Sequence, residues 1–595
     1  MNQIVQKNFL SSLLNSTQQN LSATSFAFDL ARSAGLTFKT NGNFENGTQL
    51  TGTNQDDTVI IGGNLIGGKN EATSIDLMGG NDTVTVGGNV IAHDLQSISL
   101  TGSSGSKTIH INGGIDADDA TINVILDDYN SVSDINLINI DQIIKASNQA
   151  YIFFSLIGNE NTTNINNDIY LYNGSLLEIY GEAKQNIVNI KGNVYIDSSD
   201  LEIESYSFDD TSKSANAEIN IGGELFVVNK STLNFELDSN NTYIRCKDIT
   251  ATNESSVTFR TSHDYALVSD LIIDGNLTVT NDSDFNLTTF DKADVEISGA
   301  IIVQNGVINM DMEGGNITIL GGISNTNSDV SITLYGENET NIYIEGDIIA
   351  DYQISPDRYA ATNSFIFDRG DVTFTLIGNL TANNESLNNI DTANGADTIT
   401  IIGDVSTSNG GVNSIDAYYG DDIINLNGHI AVGALVIDMG DGNDTLVLTA
   451  NTQKLFETDY KDWLTDLSTS GSLAKSGIET IRVDVNYIQQ SKLGWLTDIV
   501  NKANADGAHI AVEDKAGHQL VNPSAYLAQN NDAHNPINNV LDHYAPAAAN
   551  ATQPKALAEN VAASSSDAFA APHFDNNNFL HEMEQQAQAH AVAVA

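Results

Sequence analysis

A single cysteine, Cys246, stands in a chain of 595 residues, so no intramolecular disulfide can form. It closes the strand-like run Tyr243-Ile244-Arg245-Cys246, where a packed structural thiol is expected rather than a nucleophile. Only six prolines occur, five of them after residue 500, so the first 500 residues are nearly free of the residue that removes ladder hydrogen bonds. Basic residues are scarce: 24 Lys and Arg face 77 Asp and Glu, a formal net charge of −53. That balance argues against nucleic acid, whose affinity comes largely from cations that neutralise phosphates, and against an anionic membrane surface. No apolar run reaches the roughly eighteen residues that a membrane-spanning helix needs. The N-terminus, MNQIVQKNFLSSLLNSTQQNL, has one lysine and an apolar stretch broken by Ser, Asn and Gln, and does not read as a cleavable secretory signal. A helix-borne zinc pair, a Gly-x-Ser-x-Gly elbow and a phosphate-cradling loop are all missing. The late histidines, from His509 to His590, are too irregularly spaced to read as metal ligands.

What the chain has instead is a recurring phrase: an apolar–x–apolar run, a Gly-Gly, Gly-Asn or Gly-Asp pair, then another apolar run. Examples are Ile190-Lys191-Gly192-Asn193-Val194, Ile221-Gly222-Gly223-Glu224-Leu225 and Ile273-Asp274-Gly275-Asn276-Leu277. Markers from Gly62 to Gly428 step by 22 to 32 residues, clustering near 25. A fixed period in this range signals a solenoid. The runs alternate and favour Val, Ile and Thr, as half-buried strands do, and Gly and Asn at the corners permit positive φ. The reading is an all-β fold, a parallel β-helix of about 15 coils with three short strands each, some 70 Å long at a strand spacing of about 4.8 Å. An array of antiparallel hairpins is the alternative.

Four segments follow. Residues 1–44 place Ile4, Val5, Phe9, Leu10, Leu13 and Leu14 on one helical face and are expected to cap the first coil or to bind a partner. Residues 45–450 form the array. Residues 451–528 lose the period and read as a small α+β cap, with helices carrying Phe456, Trp463 and Leu467, then Leu496, Ile499 and Val500, around a strand at Ile478–Val483. Residues 529–595 are rich in Ala, Asn, Ser and Gln and read as a flexible tail.

Chemistry concentrates in two aspartate columns. Asp391, Asp416 and Asp438 hold one repeat slot, and Asp397, Asp422 and Asp444 hold another; both step by 25 and then 22 residues. Asp57 and Asp82, also 25 apart, hold the second slot near the N-terminal end. Stacked about 4.8 Å apart, two carboxylates repel by roughly 3.5 kcal/mol at an effective dielectric of about 20. A hard cation removes that cost, since calcium takes carboxylate and carbonyl oxygens and Gly-rich turns expose carbonyls. Calcium is therefore expected at these eight aspartates and at the turn residues Asp421, Asp441 and Asn443. The alternative is solvated Asp and Asn that serve the tight bends.

The run Met439-Gly440-Asp441-Gly442-Asn443-Asp444-Thr445-Leu446 resembles the end of a hemolysin-type (RTX) calcium repeat, with a weaker echo at residues 80–83. The resemblance implies calcium binding and type I secretion, with an uncleaved C-terminal signal read by an exporter. The tail, with Phe579-Leu580 and an Ala-Val terminus, looks like such a signal. The chain keeps a 25-residue period where that family has a nine-residue beat. In this it is closer to the long β-helices of bacterial surface-layer, adhesin and matrix proteins.

The leading expectation is a non-enzymatic, secreted, acidic, calcium-binding structural protein. It would assemble with copies of itself into a surface layer, fibre or biofilm matrix on a Gram-negative bacterium. The alternatives are an adhesin, or a β-helix that binds or cleaves polysaccharide. A lyase-like site would draw on Arg245, Arg260, His263 and Asp264, or on Arg358, Asp368 and Arg369.

Overall fold

The computed structural model describes residues 35–127, 133–207, 215–261, 268–290, 292–336, 339–353, 360–486 and 488–521. Within them the 25-residue phrase winds into a parallel β-solenoid of about 15 turns. Each coil lays one strand on each of three sheets, here A, B and C, in that order along the chain. Sheet A has 20 strands, sheet B 14 and sheet C 16. The strands of successive coils pair in parallel along the array, and residues one period apart meet: Ile140 opposes Ile165, and Ile165 opposes Ile190. The hairpin alternative is excluded; the one antiparallel pair among the described strands joins Ala511–Asp514 to Gln519–Val521 beyond the array.

The alternation read from the sequence becomes an inward column and an outward column on every strand. On sheet A the inward column runs Ile61, Val86, Ile111, Ile140 and onward to Leu426 and Leu448, all buried. Cys246 stands in this column opposite Ile273 and is fully buried, a small apolar filler among isoleucines. Burial pushes its thiol far above the ordinary range, so it stays protonated. On sheet C, Phe235, Phe259 and Phe285 pack at centroid distances of 5.0 and 5.5 Å in the same interior. Each such side chain contributes about 1.5–3 kcal/mol by burial, and no coil could bury it alone.

The corners explain the phrase. Between sheets A and B the Asn or Asp side chain of one coil accepts the backbone N–H of the same position in the next: Asn193 N–H donates to Asp168 Oδ1 (2.7 Å) and Glu224 N–H to Asn193 Oδ1 (2.9 Å). The preceding glycine leaves room for that side chain. A Cβ on Gly192 would lie 2.1 Å from Asp168 Oδ1, and one on Gly223 would lie 2.3 Å from Asn193 Oδ1. These glycines serve close approach, not the positive φ expected of them. Positive φ recurs at the corner between sheets B and C, where Asn229, Asn253 and Asn281 sit at 59°, 61° and 55°. Their side chains form a ladder, Asn253 Nδ2 donating to Asn229 Oδ1 (3.0 Å) and Asn281 Nδ2 to Asn253 Oδ1 (3.1 Å). Two residues on, Ser231 N–H donates to Ser255 Oγ, and Ser255 N–H to Ser283 Oγ.

The ends differ from the expected segmentation. Thr37–Thr40 already pairs with Thr58–Ile61, so sheet A begins inside the segment read as an N-terminal cap. The helix expected at residues 4–14 lies outside the described residues, as does the tail at 529–595. At the other end a helix, α1 (Gln453–Ser470), buries Phe456, Tyr460, Trp463 and Leu467. Its side chains take up carbonyls of the last coils: Tyr460 Oη donates to Leu426 O (2.8 Å) and Thr449 O (2.7 Å), and Trp463 Nε1 to Leu435 O (3.1 Å). A second helix, α2 (Gly494–Ala505), buries Leu496, Ile499 and Val500. The strand expected between the helices at Ile478–Val483 runs Ile478–Val485 and does not stand apart as a cap. It pairs in parallel with Asp444–Ala450 and so extends sheet A, using backbone groups that the last coil would otherwise leave unpaired.

The close-approach account predicts that Gly223→Ala lowers stability by about 1–3 kcal/mol, because backbone and Asn193 both bar the new methyl group. Gly42→Ala, where a Cβ meets nothing within 4 Å, should change it by less than about 0.5 kcal/mol. Urea unfolding of the two variants beside the wild type checks this.

Candidate functional site

The third corner, from sheet C to sheet A, holds the aspartate columns. Register places Asp391 opposite Asp416 and Asp416 opposite Asp438 at the ends of sheet C strands. Asp397, Asp422 and Asp444 stack at the start of sheet A and are 1%, 1% and 0% exposed. Both columns read from the sequence therefore exist. Asp421, Asp441 and Asn443 do not join them; they are exposed on the outer rim of the turns, where Asn443 N–H and Nδ2 donate to Asp421 Oδ1 at 3.0 Å.

The inner column has a regular job. Val372 N–H donates to Asp397 Oδ1 (2.8 Å), Asp397 N–H to Asp422 Oδ1 (2.8 Å), Asp422 N–H to Asp444 Oδ1 (2.9 Å) and Asp444 N–H to Glu479 Oε2 (2.8 Å). Each carboxylate thus caps the backbone of the coil before it. The second oxygen of Asp422, Oδ2, is buried with no hydrogen-bond partner, while the buried Asp444 carboxyl meets the Glu479 side chain. Burial pushes Asp422 up to about 7, with Asp397 and Asp421 adding repulsion. It pushes Asp444 up to about 8, helped by Glu479 and Asp422. Asp391 and Asp397 are each raised to about 6, again chiefly by burial. Burial and the carboxylates Asp416, Asp391 and Asp438 lift the nearby Tyr418 hydroxyl to about 12. Among the described residues no three His, Cys, Asp or Glu side chains converge as ligands of one ion. The stacked aspartates lie one coil apart, each with an oxygen committed to an N–H.

The N-terminal column is built alike but ends differently. Leu36 N–H donates to Asp57 Oδ1 and Asp57 N–H to Asp82 Oδ1 (2.7 Å). The next residue in register is Lys107. Its ammonium lies 3.3 Å from Asp82 Oδ2, with both side chains fully buried. It donates to the carbonyls of Gly80 (2.7 Å), Ser104 (2.5 Å) and Gly105 (2.8 Å). One carboxylate and three turn carbonyls gather around this positive charge, so oxygens of the kinds expected for calcium are turned here on a side chain. Even so, burial holds Asp82 up at about 6. The sequence reading missed Lys107, although its signal was present: it follows Asp57 and Asp82 by one more step of 25 residues. Glu479 was missed because 35 residues, with α1 among them, separate it from Asp444.

Of the basic residues named for a lyase-like site, the described ones are placed as follows. Arg245 lies on sheet A and pairs with Asp274 (2.7 Å), while Arg260 lies on sheet C over the Phe290 ring. Arg369 pairs with its neighbour Asp368 at 3.5 Å. His263, Asp264 and Arg358 lie outside the described residues.

Two outcomes follow. Lys107→Met should cost about 3–5 kcal/mol by stranding a buried carboxylate, and adding Asp82→Asn should restore much of the loss in a double-mutant cycle followed by urea unfolding. Asp422 and Asp444 hold protons in the folded chain that the unfolded chain releases near pH 4. Their contribution is therefore full below the unfolded carboxylate range and is lost as pH rises through about 7 and 8. In chelator, urea midpoints measured from pH 5 to 9 should fall, and Asp444→Asn should flatten the slope.

No protein-family model, curated protein or solved structure matches the chain.

Proposed function

We propose that the chain is a secreted, acidic structural protein that assembles with copies of itself into a surface layer, fibre or extracellular matrix, with calcium as the ion its carboxylates take up. The observation that carries this reading is the stack itself. From Thr37 to Asp514 sheet A is one continuous series of backbone-paired parallel strands. A fold whose every coil is held by its neighbour is extended most readily by another copy docking at an open strand edge. The charge of −53 supports solubility in a cation-rich exterior and, with cations present, close packing of like-charged copies. Export by a type I machine through the tail at 529–595 belongs to the same proposal. Among the described residues no helix is long and apolar enough to cross a membrane.

The lyase-like alternative has less to stand on, because Arg245 and Arg260 lie on different sheets and each already has a partner. On sheet A the rows of outward side chains are occupied by ladders such as Asn139, Asn164 and Asn189, each bonded to the next at 2.8 and 2.9 Å. Repeating, self-satisfied surfaces of this kind suit a scaffold.

Electron microscopy of the full chain at high concentration, in calcium and in chelator, tests assembly. Fibres or ordered sheets are expected in calcium. Dispersed single molecules under every condition would overturn the assembly reading.

A further inference from the structure

Lys107 and Asp82 face each other across one coil step, in register on neighbouring strands of sheet A. Both side chains are fully buried, and Lys107 Nζ lies 3.3 Å from Asp82 Oδ2. A C–O bond is about 1.2 Å long, so Nζ is no more than about 4.5 Å from Asp82 Cγ. The other carboxyl oxygen, Oδ1, accepts the Asp57 N–H at 2.7 Å, which holds the group in place. The lysine stem is held as well. It fills the space that Gly102 leaves open: a Cβ there would lie 2.6 Å from Lys107 Cε and 3.0 Å from Cδ. At its tip Nζ is kept beside the carboxyl group by the carbonyls of Gly80, Ser104 and Gly105. A nitrogen and a carboxyl carbon are thus fixed side by side away from water. As an ion pair they carry the desolvation cost of two buried charges. As an amide they would carry none.

We propose that Lys107 and Asp82 condense into an isopeptide bond that joins two adjacent coils near the N-terminal end of the solenoid. The step balances without a co-reactant, and nothing is oxidised or reduced. The ammonium passes one proton to Asp82 Oδ2, leaving an amine and a carboxylic acid. The amine lone pair attacks Cγ and the C–N bond forms, while the Asp57 N–H stabilises the negative charge that develops on Oδ1. A second proton moves from nitrogen to Oδ2, the Cγ–Oδ2 bond breaks and one water departs. The amide N–H that remains still has turn carbonyls beside it. Fixing the two groups in advance supplies the entropy that the same reaction in solution must lose, and effective molarities for well-oriented pairs reach about 10⁵–10⁸ M. The pairs of Lys230 with Glu254 and of Lys461 with Glu457 lie exposed, where water solvates both charges and the ion pair is the end state. A chain with one cysteine has no disulfide, and this bond gives it a covalent link between coils. The inference depends neither on calcium uptake nor on assembly.

The test is the intact mass of the full chain, purified folded and then denatured, followed by digestion with a protease that cuts before aspartate. The wild type should be lighter than its sequence by one water molecule. Cutting before Asp94, which lies between the two residues, should leave the peptides that carry Asp82 and Lys107 joined. Lys107→Arg and Asp82→Ala should each show the full sequence mass. Lys145→Arg, at an exposed position of sheet B, should keep the loss of water. Circular dichroism confirms that the variants fold; where Lys107→Arg and Asp82→Ala do not, the peptides of the wild type decide alone. A folded wild type at full sequence mass would overturn the proposal and leave a plain ion pair. So would a loss of water that Lys107→Arg retains, or peptides that separate after digestion, since either places the dehydration at another residue, as in an aspartyl succinimide.

Discussion

Every coil of this solenoid must turn three corners, and at each corner the backbone leaves its sheet and part of it loses its ladder partners. The rest of the structure depends on how those N–H groups are satisfied. At all three corners a side-chain oxygen from an adjacent coil takes up some of them: Asp168 and Asn193 at the A–B corner, Ser255 and Ser283 at the B–C corner, Asp422 and Asp444 at the C–A corner; backbone carbonyls of adjacent coils meet others, as Asp134 O does for Asn159 N–H. An unsatisfied buried N–H costs about 1–3 kcal/mol, so corners left bare along the whole array would exceed the stability of any domain. The same bonds set register, since each joins a residue to its equivalent one period away. Hydrophobic columns such as Ile140, Ile165 and Ile190 make the stack favourable, and the corner oxygens decide which coil residue meets which.

Using carboxylates for this purpose has an electrostatic consequence. Asparagine and serine satisfy an N–H without charge and can be stacked freely. Aspartate brings a second, anionic oxygen into the interior, where burial raises its pKa, as at Asp422 and Asp444. The chain meets this demand with Lys107 at one end. At the other end the residue that follows Asp444 in the same series of bonds is another acid, Glu479.

The period, the parallel β-helix, the two aspartate columns in register and both C-terminal helices were legible because each rests on spacing, and spacing survives folding. The core role of Cys246 was legible from its slot. What spacing could not show was the reason a residue is needed. Glycine at 192 and 223 reads like a turn residue, yet its requirement is the passage of a neighbouring coil's side chain, which is a contact across the period. Asp421, Asp441 and Asn443 read as partners of Asp422 and Asp444, but alternation sends adjacent residues to opposite sides of the turn. Lys107 was overlooked because a lysine in a strand reads as solvated, and only its register with Asp82 shows otherwise. Arg245 and Arg260, near in sequence, are parted because consecutive strands go to different sheets.

The central claim, that side-chain oxygens across the period hold the corners, is tested most directly by amide hydrogen exchange on the full chain. The account predicts that Asp397, Asp422, Asn193 and Glu224, whose N–H groups donate to side chains of adjacent coils, exchange as slowly as strand amides such as those of Ile165 and Ile190. Corner amides that exchange at the rate of open loops, while the strand amides stay protected, would contradict it.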